Sequence, residues 1–138
     1  MINTIEDLEC WKAARILVNQ VYDLCDEGPI SSDYRLRSQL TSAAVSVMSN
    51  IAEGFARYHR RDFIRFLDIA QSSAVEVQSL LYVVLDREMA PANEIRTIQD
   101  QAAETRYKAL GLLRHVRRKL EAKGNAAAES SSTYDPKV

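Results

Sequence analysis

Arginine is the residue type this sequence concentrates. Arg57, Arg60, Arg61 and Arg65 lie close together, with Tyr58 and His59 among them. Arg106, Arg114, Arg117 and Arg118 recur farther along, and at helical spacing they share one sector with Tyr107. Guanidinium forks match phosphate oxygens, and tyrosine rings offer faces on which bases stack. The chemistry implied is polyanion binding through phosphate contacts, with little sequence preference. A helix macrodipole is complemented by one or two cations, and charge runs are ordinarily solvated faces. Eight arginines in two runs exceed what either role needs.

Other chemistry lacks its inventory. Neither His59 nor His115 has a glutamate three residues before it, so the di-metal carboxylate pattern is missing. Cys-x-x-Cys spacing, a glycine-rich phosphate loop and a nucleophile elbow are absent too. The expectation is a non-enzymatic protein with no catalytic residues, no metal and no cofactor. Cys10 and Cys25 fall on one helical stretch, roughly 22 Å apart at the α-helical rise. A disulfide needs a Cα separation below about 7 Å, so they read as core thiols of a reducing cytoplasm. The opening residues lack a basic segment followed by an apolar one, so no signal peptide is expected. No apolar run approaches the ~18 residues of a membrane span.

The elements that must position the arginines are helices. The chain has 138 residues, 46% hydrophobic and 27% charged, with four glycines and three prolines, too few for a many-turned β protein. Apolar residues recur at helical spacing in four stretches: Ile5 to Cys25, Leu36 to Ala52, Phe63 to Leu85 and Ile95 to Leu120. Thr4, Ser32 or Asp33, and Asn93 are the expected caps, while Gly28-Pro29 and Gly124 are the expected stops. This gives an all-α, up-down-up-down four-helix bundle over residues 1–123 and a flexible tail over 124–138.

In that topology the second and fourth helices run the same way. The turn after the second and the end of the fourth therefore share one pole, where both arginine runs gather. Net charge is −1, which excludes a globally basic nucleic-acid binder but not a local patch. Residues 33–65 carry six basic against three acidic groups, and residues 106–123 carry seven against one. If the hairpin turns near residue 59, Glu53 faces Arg65, Asn50 faces Asp68 and Ser42 approaches Glu76. Asn50, Glu53, Ser73 and Glu76 then form a polar network that sets helix register. The third helix is more apolar than a wet-faced helix needs. Ile64, Val75 and Tyr82 form a second stripe, with Ile69, Leu80 and Val83 on the opposite flank, and this excess points to self-association.

The string Asn50-Ile51-Ala52-Glu53-Gly54-Phe55-Ala56-Arg57 precedes Asp62-Phe63, Phe66-Leu67 and Ala70, then Ser73-Ala74-Val75-Glu76. Together with Trp11-Lys12-Ala13-Ala14 and Gln39-Leu40, Ala43-Ala44 and Ser46-Val47, it resembles the four-helix-bundle family of 23S rRNA intervening-sequence proteins. The resemblance covers roughly residues 5–121. Ser72 stands where that family usually has glycine. The resemblance implies a cytoplasmic bacterial protein forming a homopentameric ring. It extends in fold to accessory proteins of diversity-generating retroelements, which associate with nucleic acid and a reverse transcriptase. The expected function is an oligomeric binding protein engaging RNA or DNA backbone through Arg57, Arg60, Arg61, Arg65, Arg114, Arg117 and Arg118, with no membrane contact. The alternative is a protein scaffold whose basic end docks an acidic partner.

Overall fold

The computed structural model describes the backbone of residues 1–133 and the side chains of residues 1–128. Among these residues there are four α-helices and no strand: α1 Glu9–Cys25, α2 Tyr34–Ala56, α3 Arg60–Asp86 and α4 Ala92–Thr133. Short 3-10 turns, Ile5–Asp7 and Pro29–Ser32, precede α1 and α2. Each helix turns one stripe inward: Leu17 and Val21 from α1, Leu40, Val47 and Ile51 from α2, Leu67, Val77 and Leu81 from α3, Ile95 and Ala102 from α4. These close into one continuous core. α3 packs against α2 and α4, and α1 packs against the same two helices, so the four surround the core as a bundle.

Local chemistry explains the element ends. The Asp7 carboxylate accepts from the backbone N–H groups of Asn3 and Thr4 at 2.9 and 3.0 Å. Those bonds hold its pKa below the usual aspartate value. They cap the 3-10 turn rather than α1, which starts at Glu9, so the expected single first helix is two pieces. Asp33 caps α2 by accepting from Leu36 N–H at 3.0 Å. Gly28 adopts φ +70, a left-handed conformation that lets the chain leave α1 and dock Ile30 N–H on Met89 carbonyl at 3.2 Å.

Gly124 does not stop the last helix, contrary to the sequence expectation; α4 continues to Thr133. An interior glycine costs about 1 kcal/mol relative to alanine, and Ala126, Ala127 and Ala128 follow directly with the strongest helix propensity. Of the expected tail, residues 134–138 lie outside the described residues. α4 also starts at Ala92, two residues before Glu94, where an Asn93 cap would begin it.

Cys10 and Cys25 are both buried and unpaired. Burial pushes the Cys10 thiol up to about 11 and raises that of Cys25. No helix among the described residues is long and apolar enough to cross a membrane.

Candidate nucleic-acid interface

Three residues, Arg57 to His59, connect α2 to α3, and the close approach of the two helices beneath them is built around Gly54. A Cβ at Gly54 would stand 2.7 Å from Phe66 Cβ and 3.0 Å from a Phe63 ring carbon. Only a hydrogen fits there. Phe66 then fixes two of the predicted arginines. Arg57 lies 4.9 Å and Arg65 5.3 Å from its ring centroid, so both guanidinium groups are anchored by cation–π attraction. Arg57 also pairs with Glu53 at 3.1 Å across one turn of helix. Phe55 and Phe63 meet edge to face, ring centroids 6.1 Å apart, completing an aromatic footing under the turn.

Arg60 and Arg61 are different. They begin α3, where the positive end of the macrodipole disfavours cations, so dipole complementation cannot account for them. Both are exposed and neither has a carboxylate partner among the described residues. They open onto a cavity of about 760 Å³ whose walls come from the α2–α3 turn and from Leu120 and Lys123 of α4. Tyr58 stands at its edge, almost fully solvent-exposed, with His59 edge-on to its ring at 5.1 Å. Asp62 adds one carboxylate to the same wall.

The cavity brings the α2–α3 turn to the level of Leu120 and Lys123. Arg114, Arg117 and Arg118 precede Leu120 by two to six residues, which is about 3 to 9 Å along the helix axis. All three are exposed, without an ion pair among the described residues. Arg106 is farther away, about 21 Å before Leu120 at the same rise. It donates to Gln71 Oε1 of α3 at 2.9 Å. Leu120 and Lys123 were not singled out from the sequence as site residues. The signal available was their helical spacing beyond Val116, within the helix expected from the sequence; what it lacks is which face of that helix meets the α2–α3 turn.

The polar network that sets α2–α3 register differs from the one expected. Ser46 and Ser73 hydroxyls meet at 3.0 Å across the two helices. Asn50 donates to Ser46 carbonyl at 2.8 Å and to its hydroxyl at 3.0 Å. Asn50 thus bonds back onto its own helix and reaches Ser73 only through Ser46. Glu53 turns to Arg57 instead of Arg65, because an i,i+4 cation is nearer than one across the interface. Glu76 is exposed and has no hydrogen-bond partner among the described residues.

On α3, Val75, Tyr82 and Val83 are exposed at 42%, 57% and 44%, and Ile69 at 40%. Ile64 and Leu80, expected on the same outer stripes, are half-buried against the core. Among the described residues no three His, Cys, Asp or Glu side chains converge as a metal site.

The family model described as 23S rRNA-intervening sequence protein matches residues 6–110. Arg114, Arg117, Arg118 and Lys123 lie beyond that match. Among solved structures, the chain resembles a protein of unknown function from the S23 ribosomal protein family of Bacteroides thetaiotaomicron. The TM-score is 0.69 at 18% identity, covering 76% of this chain and 95% of that one. Identity that low speaks to fold alone. No curated protein matches the chain.

Proposed function

Because the chain belongs to the 23S rRNA-intervening sequence protein family, we propose that it is a non-enzymatic binding protein that grips RNA or DNA backbone with the basic end of its bundle. The observation that carries this reading is the shared cavity. Arg60 and Arg61 from one stretch of chain and Lys123 from another line a single depression, with Arg114, Arg117 and Arg118 on the helix that forms its far wall. Cations placed against the macrodipole at the start of α3 cost stability unless a ligand anion repays it. Arg57 and Arg65, anchored on Phe66, flank the turn and offer further phosphate contacts. An up-down-up-down course of the helices accounts for the meeting of the α2–α3 turn with the far part of α4.

Self-association extends the same reading. Val75 and Tyr82 leave an apolar strip on α3, with Val83 exposed on the other flank, that further copies of the chain cover, and a ring of five copies repeats the basic end around its axis. The buried thiols suit a reducing cytoplasm.

The test is binding of single-stranded and duplex RNA and DNA, followed by fluorescence anisotropy over a salt series. Affinity is expected to fall steeply as salt rises, because phosphate contacts release counterions. The combined Arg60→Glu, Arg61→Glu, Arg114→Glu and Arg118→Glu variant is expected to lose binding with its circular dichroism unchanged. Absence of binding at low salt to every nucleic acid refutes the proposal. Capture of an acidic protein that survives nuclease treatment turns the same surface into a protein-docking one. Val75→Asp with Tyr82→Asp is expected to lower the mass measured by light scattering.

A further inference from the structure

The cations at this end of the molecule fall into two geometric classes. Arg114 and Arg118 stand exposed along a helix, a row that suits successive phosphates of a strand. Arg60, Arg61 and Lys123 instead converge on a concave site. Its volume of about 760 Å³ lies in the range that holds one small ligand. The Asp62 carboxylate on the same wall repels a second phosphate placed beside the first, yet it accepts a hydrogen bond from a sugar hydroxyl or a base amino group. Tyr58 presents an open aromatic face at the rim. One dianionic group, one hydrogen-bond donor and one flat ring together describe a nucleotide.

We propose that the cleft between the α2–α3 turn and α4 is a mononucleotide-sized site for a phosphomonoester. The phosphate lies among Arg60, Arg61 and Lys123, and the base stacks on Tyr58. The dianion takes more from three converging cations than a singly charged backbone phosphodiester does, so the site prefers an end to an interior. Asp62 and Phe63 N–H already donate to the His59 carbonyl, so the amides of Arg60 and Arg61 are the ones that add to that preference. The inference deepens, and rests on, the reading of this pole as a polyanion site. The same chemistry is offered by the phosphorylated end of a strand and by a free nucleoside monophosphate.

The experiment uses the full chain and internally labelled twelve-nucleotide single strands of one sequence, in RNA and DNA. Each carries a 5′-phosphate, a 3′-phosphate or only hydroxyl ends, and nucleoside monophosphates are added as competitors. One phosphorylated end is expected to bind about tenfold tighter than the hydroxyl strand, a factor within the range of one stacked base and one charge-assisted contact. Tyr58→Ala, at the surface and outside the set of cations, is expected to erase that preference while hydroxyl-ended strands still bind, and Lys123→Gln is expected to weaken phosphorylated strands more than hydroxyl-ended ones. Displacement by a free monophosphate at similar concentration identifies the free nucleotide as the occupant and supports the site. Equal affinity for phosphorylated and hydroxyl strands, with no monophosphate binding, overturns the inference and leaves backbone binding intact. Monophosphate binding without strand binding sustains the inference and removes the broader proposal. Failure of every ligand removes both.

Discussion

The two ends of α3 carry cavities of opposite character. Around Arg60 the cavity of about 760 Å³ is lined by Arg60, Arg61 and Lys123 against one carboxylate, Asp62. Beyond Asp86, clefts of about 340 and 370 Å³ are lined by Asp23, Glu27 and Glu94, with Glu88 in the second. The two ends are roughly 39 Å apart at the helical rise. Both run against the helix dipoles in part: Arg60 and Arg61 begin α3, and Asp23 falls in the last turn of α1. A net charge of −1 therefore averages over two sets of clefts of opposite charge. Such a field draws an anion to one end and turns it away from the other. Helix stability accounts for Glu94, which sits in the first turn of α4, but not for Arg60, Arg61 or Asp23.

The largest expected effect tests that polarity directly. Reversing charge at the basic end lowers nucleic-acid affinity by about a hundredfold or more at low salt, as loss of several phosphate contacts requires. Asp23→Lys with Glu27→Lys at the far end leaves affinity unchanged or raises it. An equal loss from the far-end variant would break the comparison, because added cations cannot weaken an electrostatic attraction for phosphate. Next in size is Gly54→Ala. The added carbon meets Phe66 Cβ at 2.7 Å, so unfolding in urea should show a loss of about 1–3 kcal/mol. Hydrogen exchange should rise around Arg57 to Asp62 and stay unchanged near Glu88. Uniform acceleration along the chain would contradict a local footing at the basic end.

Alkaline pH probes the protein interior at two depths, Cys10 in α1 and Cys25 beside the acidic end. The folded Cys10 pKa is raised from 9.0 to about 11, so the folded state holds its proton more tightly than the unfolded state. The stability this contributes is complete below pH 9 and is lost as pH rises toward 11, by roughly 2 kcal/mol over the window. Urea midpoints measured from pH 8 to 11, compared with those of Cys10→Ala, check it. A variant with the same alkaline slope as the wild type would assign the loss elsewhere. The smallest effect is Gly124→Ala. Helix content and thermal midpoint should rise slightly, by the equivalent of about 0.5–1 kcal/mol, with Lys123 held more firmly beside the cavity.

Sequence periodicity located all four helices because each has one apolar stripe that only burial satisfies; Val21, Leu40, Leu67 and Ile98 lie on those stripes and are buried. It misjudged places where a local alternative competes. Thr4 and Asp7 cap a 3-10 turn, since their bonds are made before α1 begins. Asn50 takes the carbonyl of Ser46 on its own helix over a partner across the interface. Gly124 is outweighed by the alanines after it. Among the candidate site residues, the arginines were legible from type and spacing alone. That Arg57 and Arg65 share Phe66, while Arg60 and Arg61 share a cavity with Lys123, was not. Side chains one to five positions apart on a helix differ by a fraction of a turn in direction. Which direction meets a neighbour is fixed by the other helix.

The amino-acid order by itself determined a four-helix bundle, two runs of arginine and the absence of catalytic motifs, because these follow from composition and a period near 3.6. Packing alone decided that Lys123, sixty-two residues after Arg61, completes the wall of the same depression. The hydrogen-only contact at Gly54 brings α2 onto α3, and the packing of α4 against α3 carries the lysine alongside. Interactions between groups so distant in sequence depend on helix spacing and crossing, which are properties of the packed core and not of any local stretch of chain.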